Sequence, residues 1–154
     1  MRKPPTGKGR FLEHRTSIRV RFQEVDALQV VWHGHYIGYF EIAREAFAEV
    51  YGITYQRLIE AGVATPIVHV SCDYRLPARY GDTLEITVRL FERATSKLEF
   101  SYEIRRVADE ALLAEGKSVQ VFITLEGDLV LRRPEVLTTF YETCRDQMQG
   151  EAVT

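Results

Sequence analysis

Apolar and polar residues alternate along several stretches of this chain. Ile18, Val20 and Phe22 alternate with Ser17, Arg19 and Arg21. Val68, Val70, Cys72, Tyr74 and Leu76 alternate with His69, Ser71, Asp73 and Arg75. The same period runs through Leu84–Leu90 and Leu98–Ile104, and Val119, Val121 and Ile123 mark a last strand. A period of two puts one set of side chains on one face, so each stretch predicts a strand with one wet face. That pattern belongs to antiparallel sheets. One segment breaks it. Tyr36, Tyr39, Phe40, Ala43, Phe47 and Val50 recur at steps of three and four, which predicts an amphipathic helix with a wide aromatic face. Gly52 is its stop signal. A short helical segment follows over 54–61, and Pro134 opens a C-terminal helix reaching about Met148. Turns fall at Tyr80-Gly81-Asp82, Ala108-Asp109-Glu110 and Glu126-Gly127-Asp128.

The order is strand, helix, four strands, helix: an α+β fold with a five-stranded antiparallel sheet. No linker or repeat interrupts 16–148, so this span is one domain, with a flexible tail over 1–15 and another over 149–154. One helix cannot cover both faces of such a sheet, and exposed strand edges call for a partner. Composition narrows the function. The formal charge is −2, from 20 basic and 22 acidic residues, and the basic residues are scattered. Nothing here favours nucleic acid or an anionic membrane surface. No stretch approaches the roughly 18 apolar residues of a membrane span. The basic N-terminus lacks the apolar core of a signal peptide. Cys72 and Cys144 form neither a CxxC pair nor a zinc spacing, and read as free thiols. The expected location is the cytoplasm.

The chemistry is concentrated between the first strand and the helix. Asp26-Ala-Leu-Gln-Val-Val-Trp-His-Gly-His-Tyr36 holds a carboxylate, two histidines and a tryptophan. A helix starting near Gly34 would aim free N–H groups and a partial positive charge at this loop. Such an end can hold an oxyanion, and a nearby carboxylate can attack a carbonyl or activate water. Taken alone, Asp26 could equally be a carboxylate that caps a turn, Trp32 a core residue and His33 a helix cap. His33 and His35 stand two apart and should point to different sides, so no metal is expected.

Phe22-Gln-Glu-Val-Asp26, followed by Val30-Val-Trp-His33-Gly-His-Tyr36 and Tyr39-Phe-Glu41, resembles the 4-hydroxybenzoyl-CoA thioesterase family. The likeness extends over about residues 16–140. It looks closest to the bacterial subgroup that includes the Tol–Pal-associated acyl-CoA thioesterases. The resemblance implies a hotdog fold, in which a curved antiparallel sheet wraps the long helix. It implies a homodimer or homotetramer with active sites at subunit interfaces. The substrate would be an acyl-CoA, so coenzyme A enters as part of the substrate and no separate cofactor is needed. Asp26 would act as nucleophile or general base, and the backbone N–H near His33 would polarise the thioester carbonyl. The His33 side chain would line the site. Phe22, Val31, Trp32, Gly34 and Tyr36 would shape the substrate pocket.

Two positions depart from the family pattern. Many relatives have Gly at the place of Gln29, which a backbone with negative φ would accommodate. Some have Tyr at the place of Phe22, so no hydroxyl role carries over. Glu41 is expected to be structural and paired with Arg44. His69 is expected to be a sheet-face residue, and Asp82 a turn residue. Arg75, Arg79, Arg93 and Lys97 are candidates for the CoA phosphates. The competing reading is a hotdog module that binds acyl-CoA or an acyl carrier without turning it over. The retained Asp26 argues against it. The His-containing Pro/Gly-rich motif of a hotdog dehydratase is absent.

Overall fold

Five strands form one antiparallel sheet: β1 (Phe11–Arg19), β3 (Ile67–Tyr74), β4 (Thr83–Phe91), β5 (Lys97–Arg106) and β6 (Leu112–Val121). Their order across the sheet is β1-β4-β5-β6-β3. A two-stranded ribbon pairs β2 (Val63–Ala64) with β7 (Ile123–Thr124). The helices are α1 (His35–Tyr51), α2 (Tyr55–Glu60) and α3 (Glu135–Thr143). This computed structural model describes residues 7–153. No helix among them is long and apolar enough to cross a membrane.

The alternating sets meet as their period predicts. Leu84, Ile86, Val88 and Leu90 of β4 and Leu98, Phe100, Tyr102 and Ile104 of β5 are all buried. Tyr36, Tyr39, Phe40, Ala43 and Phe47 of α1 pack onto this layer. The Phe40 ring stacks on Tyr102 at 4.4 Å, and Phe47 meets Phe100 edge-on at 5.5 Å. Each such side chain contributes about 1.5–3 kcal/mol by leaving water. This layer fixes α1 across the sheet and so places the helix start. The opposite face is polar but not all wet. Arg89 bridges Glu13 at 2.7 Å and Glu103 at 3.4 Å, and all three are largely covered by surrounding side chains.

The boundaries differ from the sequence pattern in four places. The first strand starts at Phe11, inside the segment expected as a tail, and ends at Arg19; Phe22 lies in a 3-10 turn, Phe22–Glu24, and its own side chain faces solvent. Charged residues at 13–15 hid this strand, because its outer face carries ion pairs. Residues 1–6 of the expected tail, and Thr154, lie outside the described residues. Gln149 pairs with Phe11 through two backbone bonds of 2.9 Å, so the expected C-terminal tail begins with a sheet contact. The last long strand starts at Leu112, well before Val119, its period blurred by Gly116. Finally, α3 gives way at Cys144 to a 3-10 turn, and Val50 at the end of α1 is exposed.

Candidate active site

The segment after β1 folds into a tight hairpin. Its rungs are Val25 opposite Val31, the Asp26 N–H to the Val30 carbonyl at 2.9 Å, and the Trp32 N–H to the Glu24 carbonyl at 3.0 Å. The Gln29 N–H closes the turn on the Asp26 carbonyl at 2.9 Å. The Asp26 carboxylate also accepts the Leu28 N–H through Oδ1 at 2.8 Å. This Asx turn ties the carboxylate to the hairpin tip while leaving Oδ2 free of any hydrogen bond among the described residues. A second seam anchors the hairpin to the fold: the Val31 N–H reaches the Ala78 carbonyl at 2.9 Å, and Val30 bridges Arg79.

Gln29 sits at φ +62. The expectation of a negative φ is therefore wrong: the closing residue of this turn lies in the left-handed region, where a glycine would find no strain. For a residue with a Cβ that region costs roughly 1–2 kcal/mol. Gln29→Gly is expected to raise stability by up to about 1 kcal/mol, part of the relief being offset by the freer unfolded chain. Thermal unfolding of the variant reads this directly, and a lower melting temperature would contradict it.

The outgoing leg of the hairpin runs straight into α1. Gly34 is the N-cap and has no side chain to cap with. The N–H groups of His33 and Gly34 make no hydrogen bond among the described residues. An added Cβ at Gly34 would overlap the Trp32 indole, so glycine here lets the tryptophan fold back over the helix start. Both His33 and His35 lie against that indole, at 4.9 and 5.5 Å between ring centres. The two histidines expected to diverge thus share one neighbour. The His33 carbonyl accepts the Tyr74 hydroxyl at 2.7 Å, which ties the helix start to the end of β3.

The named site residues divide into two groups. Asp26, Trp32, His33 and Gly34 form the accessible part, with Trp32 and His33 exposed. Val31 and Tyr36, expected to shape the pocket, are buried behind the hairpin. The Tyr36 hydroxyl accepts the Ala78 N–H at 3.0 Å and thereby holds the segment on which the hairpin hangs. Its own ionisation is pushed up by burial. Phe22 stands outside on the 3-10 turn, edge-on to Tyr80 at 5.9 Å. Glu41 pairs with Arg44 at 3.6 Å as expected, and Asp82 is a turn residue that accepts the Arg79 N–H at 2.9 Å. His69 lies exposed on β3. Among the described residues no three His, Cys, Asp or Glu side chains are grouped to hold a metal. Sequence reasoning missed Glu24, Tyr39 and Tyr74 as neighbours of the site. The Arg21-x-x-Glu24 spacing, a variant of the capping box, is a signal that could have pointed to the role of Glu24.

Comparison with known proteins places the chain in a family. The model of the thioesterase-like superfamily matches residues 20–140. The chain belongs to this family. A 1,4-dihydroxy-2-naphthoyl-CoA hydrolase of Nostoc punctiforme is 30% identical over 132 residues, 85% of this chain and 88% of that one. For three other relatives the matched stretch spans about two thirds of their length (66%, 67% and 62%). A hypothetical protein from Thermus thermophilus superposes with a TM-score of 0.73 at 35% identity, covering 84% of this chain and 97% of that one. The 1,4-dihydroxy-2-naphthoyl-CoA thioesterase of Synechocystis gives 0.73 at 24% identity, covering 84% and 94%. The fold is the hotdog fold, and CoA-thioester hydrolysis is the activity that the Nostoc and Synechocystis proteins are named for. The matches do not single out the Tol–Pal-associated subgroup.

Proposed function

We propose that this protein hydrolyses acyl-CoA thioesters to a carboxylic acid and free CoA, with Asp26 as the reacting carboxylate. One observation carries the reading: Asp26 stands on a hairpin whose outgoing leg becomes the uncapped start of α1. The thioester carbonyl would accept the free N–H groups of His33 and Gly34, which are backed by the helix dipole. As general base, Asp26 takes a proton from water, and the hydroxide adds to the carbonyl carbon. The oxyanion collapses, the C–S bond breaks, and the CoA thiolate leaves with the proton Asp26 had taken. As nucleophile, Asp26 forms a mixed anhydride and expels the thiolate, and water then hydrolyses the anhydride. Both routes balance without a further cofactor.

Two cavities lie away from the hairpin. A cleft of about 820 Å³ runs beside the later part of α1 over Phe47, Leu58, Leu90, Leu98 and Phe100, with Glu41 and Arg44 at its rim. It has the character for an apolar acyl group, but none of Asp26, Trp32, His33 and Gly34 lines it. A second pocket, of about 620 Å³, gathers Lys8, Arg10, Arg93, Arg133 and Arg145 around Glu92. It suits the phosphates of CoA. Of the four cations named from sequence, only Arg93 lines it. This pocket lies by the start of β1, and the nine residues of β1 span roughly 30 Å before the chain turns towards Asp26. It would therefore serve a site on another copy. The edge strand β3 favours such an assembly, since Ile67, Val68, Val70 and Tyr74 are exposed there and Tyr74 touches the helix start. We take the working unit to be a homodimer or homotetramer.

The test is release of free thiol from short-chain, long-chain and aromatic acyl-CoAs. Turnover of at least one class is expected. Binding of all three without thiol release would replace this reading with that of an acyl-CoA binding module.

A further inference from the structure

Glu24 is a carboxylate only 5% exposed, in a loop whose neighbours Arg21, Phe22 and Gln23 are all exposed. Burying a charge costs several kcal/mol unless it is paired and hydrogen-bonded. Here Oε1 accepts the Arg21 N–H at 2.8 Å, and Oε2 meets the Arg21 guanidinium at 3.3 Å. The Tyr39 hydroxyl is buried on α1 without a hydrogen-bond partner among the described residues, and it acts on the same carboxylate through its electrostatics alone. Burial pushes the Glu24 carboxyl up, but the Arg21 contacts, with Tyr39, outweigh it and hold the group below its ordinary range. The backbone of Glu24 is engaged as well, because its carbonyl accepts the Trp32 N–H. One residue thus joins two parts of the site: the turn entering the hairpin and the leg leaving it.

We propose that Glu24 is a positioning residue: its carboxylate closes the entering turn on Arg21 while its carbonyl fastens the leaving leg, and together they set Asp26 against the N–H groups of the helix start. The inference rests on the thioesterase reading. Its logic is geometric. Asp26 lies two rungs beyond the Glu24–Trp32 pair, about 7 Å along the hairpin. A small tilt at that pair therefore displaces the carboxylate. A misplacement of about 1 Å can lower a rate by the order of 10²-fold.

The experiment compares Glu24→Ala, Glu24→Gln and Tyr39→Phe, each alone and with Asp26→Asn. It measures kcat, KM and amide hydrogen exchange at Asp26, Val31 and Trp32. Glu24→Ala is expected to lower kcat by about 10²-fold with little change in KM. Exchange at the three hairpin amides should quicken while that of β5 stays slow. Glu24→Gln keeps an oxygen for the Arg21 N–H and should recover most of the loss. Tyr39→Phe should show a smaller effect of the same kind. In the Asp26→Asn background, Glu24→Ala should cost almost nothing more, because the two residues act as a unit. If Glu24→Ala fails to fold, the Gln and Phe variants carry the same comparison. Unchanged kcat, unchanged hairpin exchange or full additivity with Asp26→Asn would overturn the assignment. A wild type that releases no thiol, with a hairpin that still loosens in Glu24→Ala, would refute the thioesterase reading and leave the clamp standing.

Discussion

Asp26→Asn is expected to lower turnover of the best acyl-CoA substrate by about 10²–10⁴-fold, the range a positioned general base or its loss commonly spans, while leaving the fold intact. The second half of that expectation follows from the hairpin. Asparagine keeps Oδ1, so it can still accept the Leu28 N–H that the aspartate accepts at 2.8 Å. The rungs around it are backbone bonds that the substitution does not touch. Only the charge and basicity of the outer oxygen are lost. Asp26→Ala should differ: it removes the Asx bond as well, and a bond of that kind is worth about 1 kcal/mol. The pair of variants separates chemistry from architecture. Equal losses of turnover with unequal melting temperatures would place the effect on the carboxylate. An Asp26→Asn protein that retains turnover within a few-fold of wild type would remove Asp26 from the reaction, whatever its neighbours suggest.

The same hairpin shows how far the sequence could be read. Asp26, Trp32 and His33 were legible because a carboxylate and aromatic groups crowd the approach to a helix, and because the string resembles a known family. The strands of the core were legible where one face is apolar and the other polar, as in Leu84–Leu90. Legibility ended where contacts between distant residues decide the outcome. Glu24 reads as an ordinary surface acid until Tyr39 is placed beside it. Val31 and Tyr36 lie within the motif, yet their side chains are drawn into the core, because the seam to Ala78 turns that side of the hairpin inward. The sign of φ at Gln29 depends on a two-way closure of the turn that local propensity does not encode. The charged start of β1 was hidden because its ion pairs, Glu13 with Arg89 above all, form only across strands.

Gly116→Ala tests the packing that underlies the site, and its expected effect is large for one methyl group. Gly116 lies in the middle of β6, where glycine ordinarily weakens a strand. Here it is needed. A Cβ would overlap the Phe40 ring and stand 2.5 Å from the Ser71 carbonyl oxygen of β3. The ring is itself packed in place, stacked on Tyr102 at 4.4 Å. The carbonyl belongs to the backbone of a paired strand, so relief requires β3 or α1 to shift. Overpacking of this kind costs about 1–3 kcal/mol. For a chain of this length each kcal/mol lowers the melting temperature by about 2–4 °C. Gly38→Ala is the counterpart, for the added Cβ there meets nothing within 4 Å and the position is inside α1. It should raise stability by about 0.5–1 kcal/mol. The two substitutions add the same atom and should move the melting temperature in opposite directions. The consequence reaches the active site through Tyr74, at the end of β3, whose hydroxyl holds the His33 carbonyl. A shift of β3 in Gly116→Ala should therefore lower kcat as well as stability. A neutral Gly116→Ala would mean that α1 does not press on β6 at this point, and that the helix start is held by the hairpin alone.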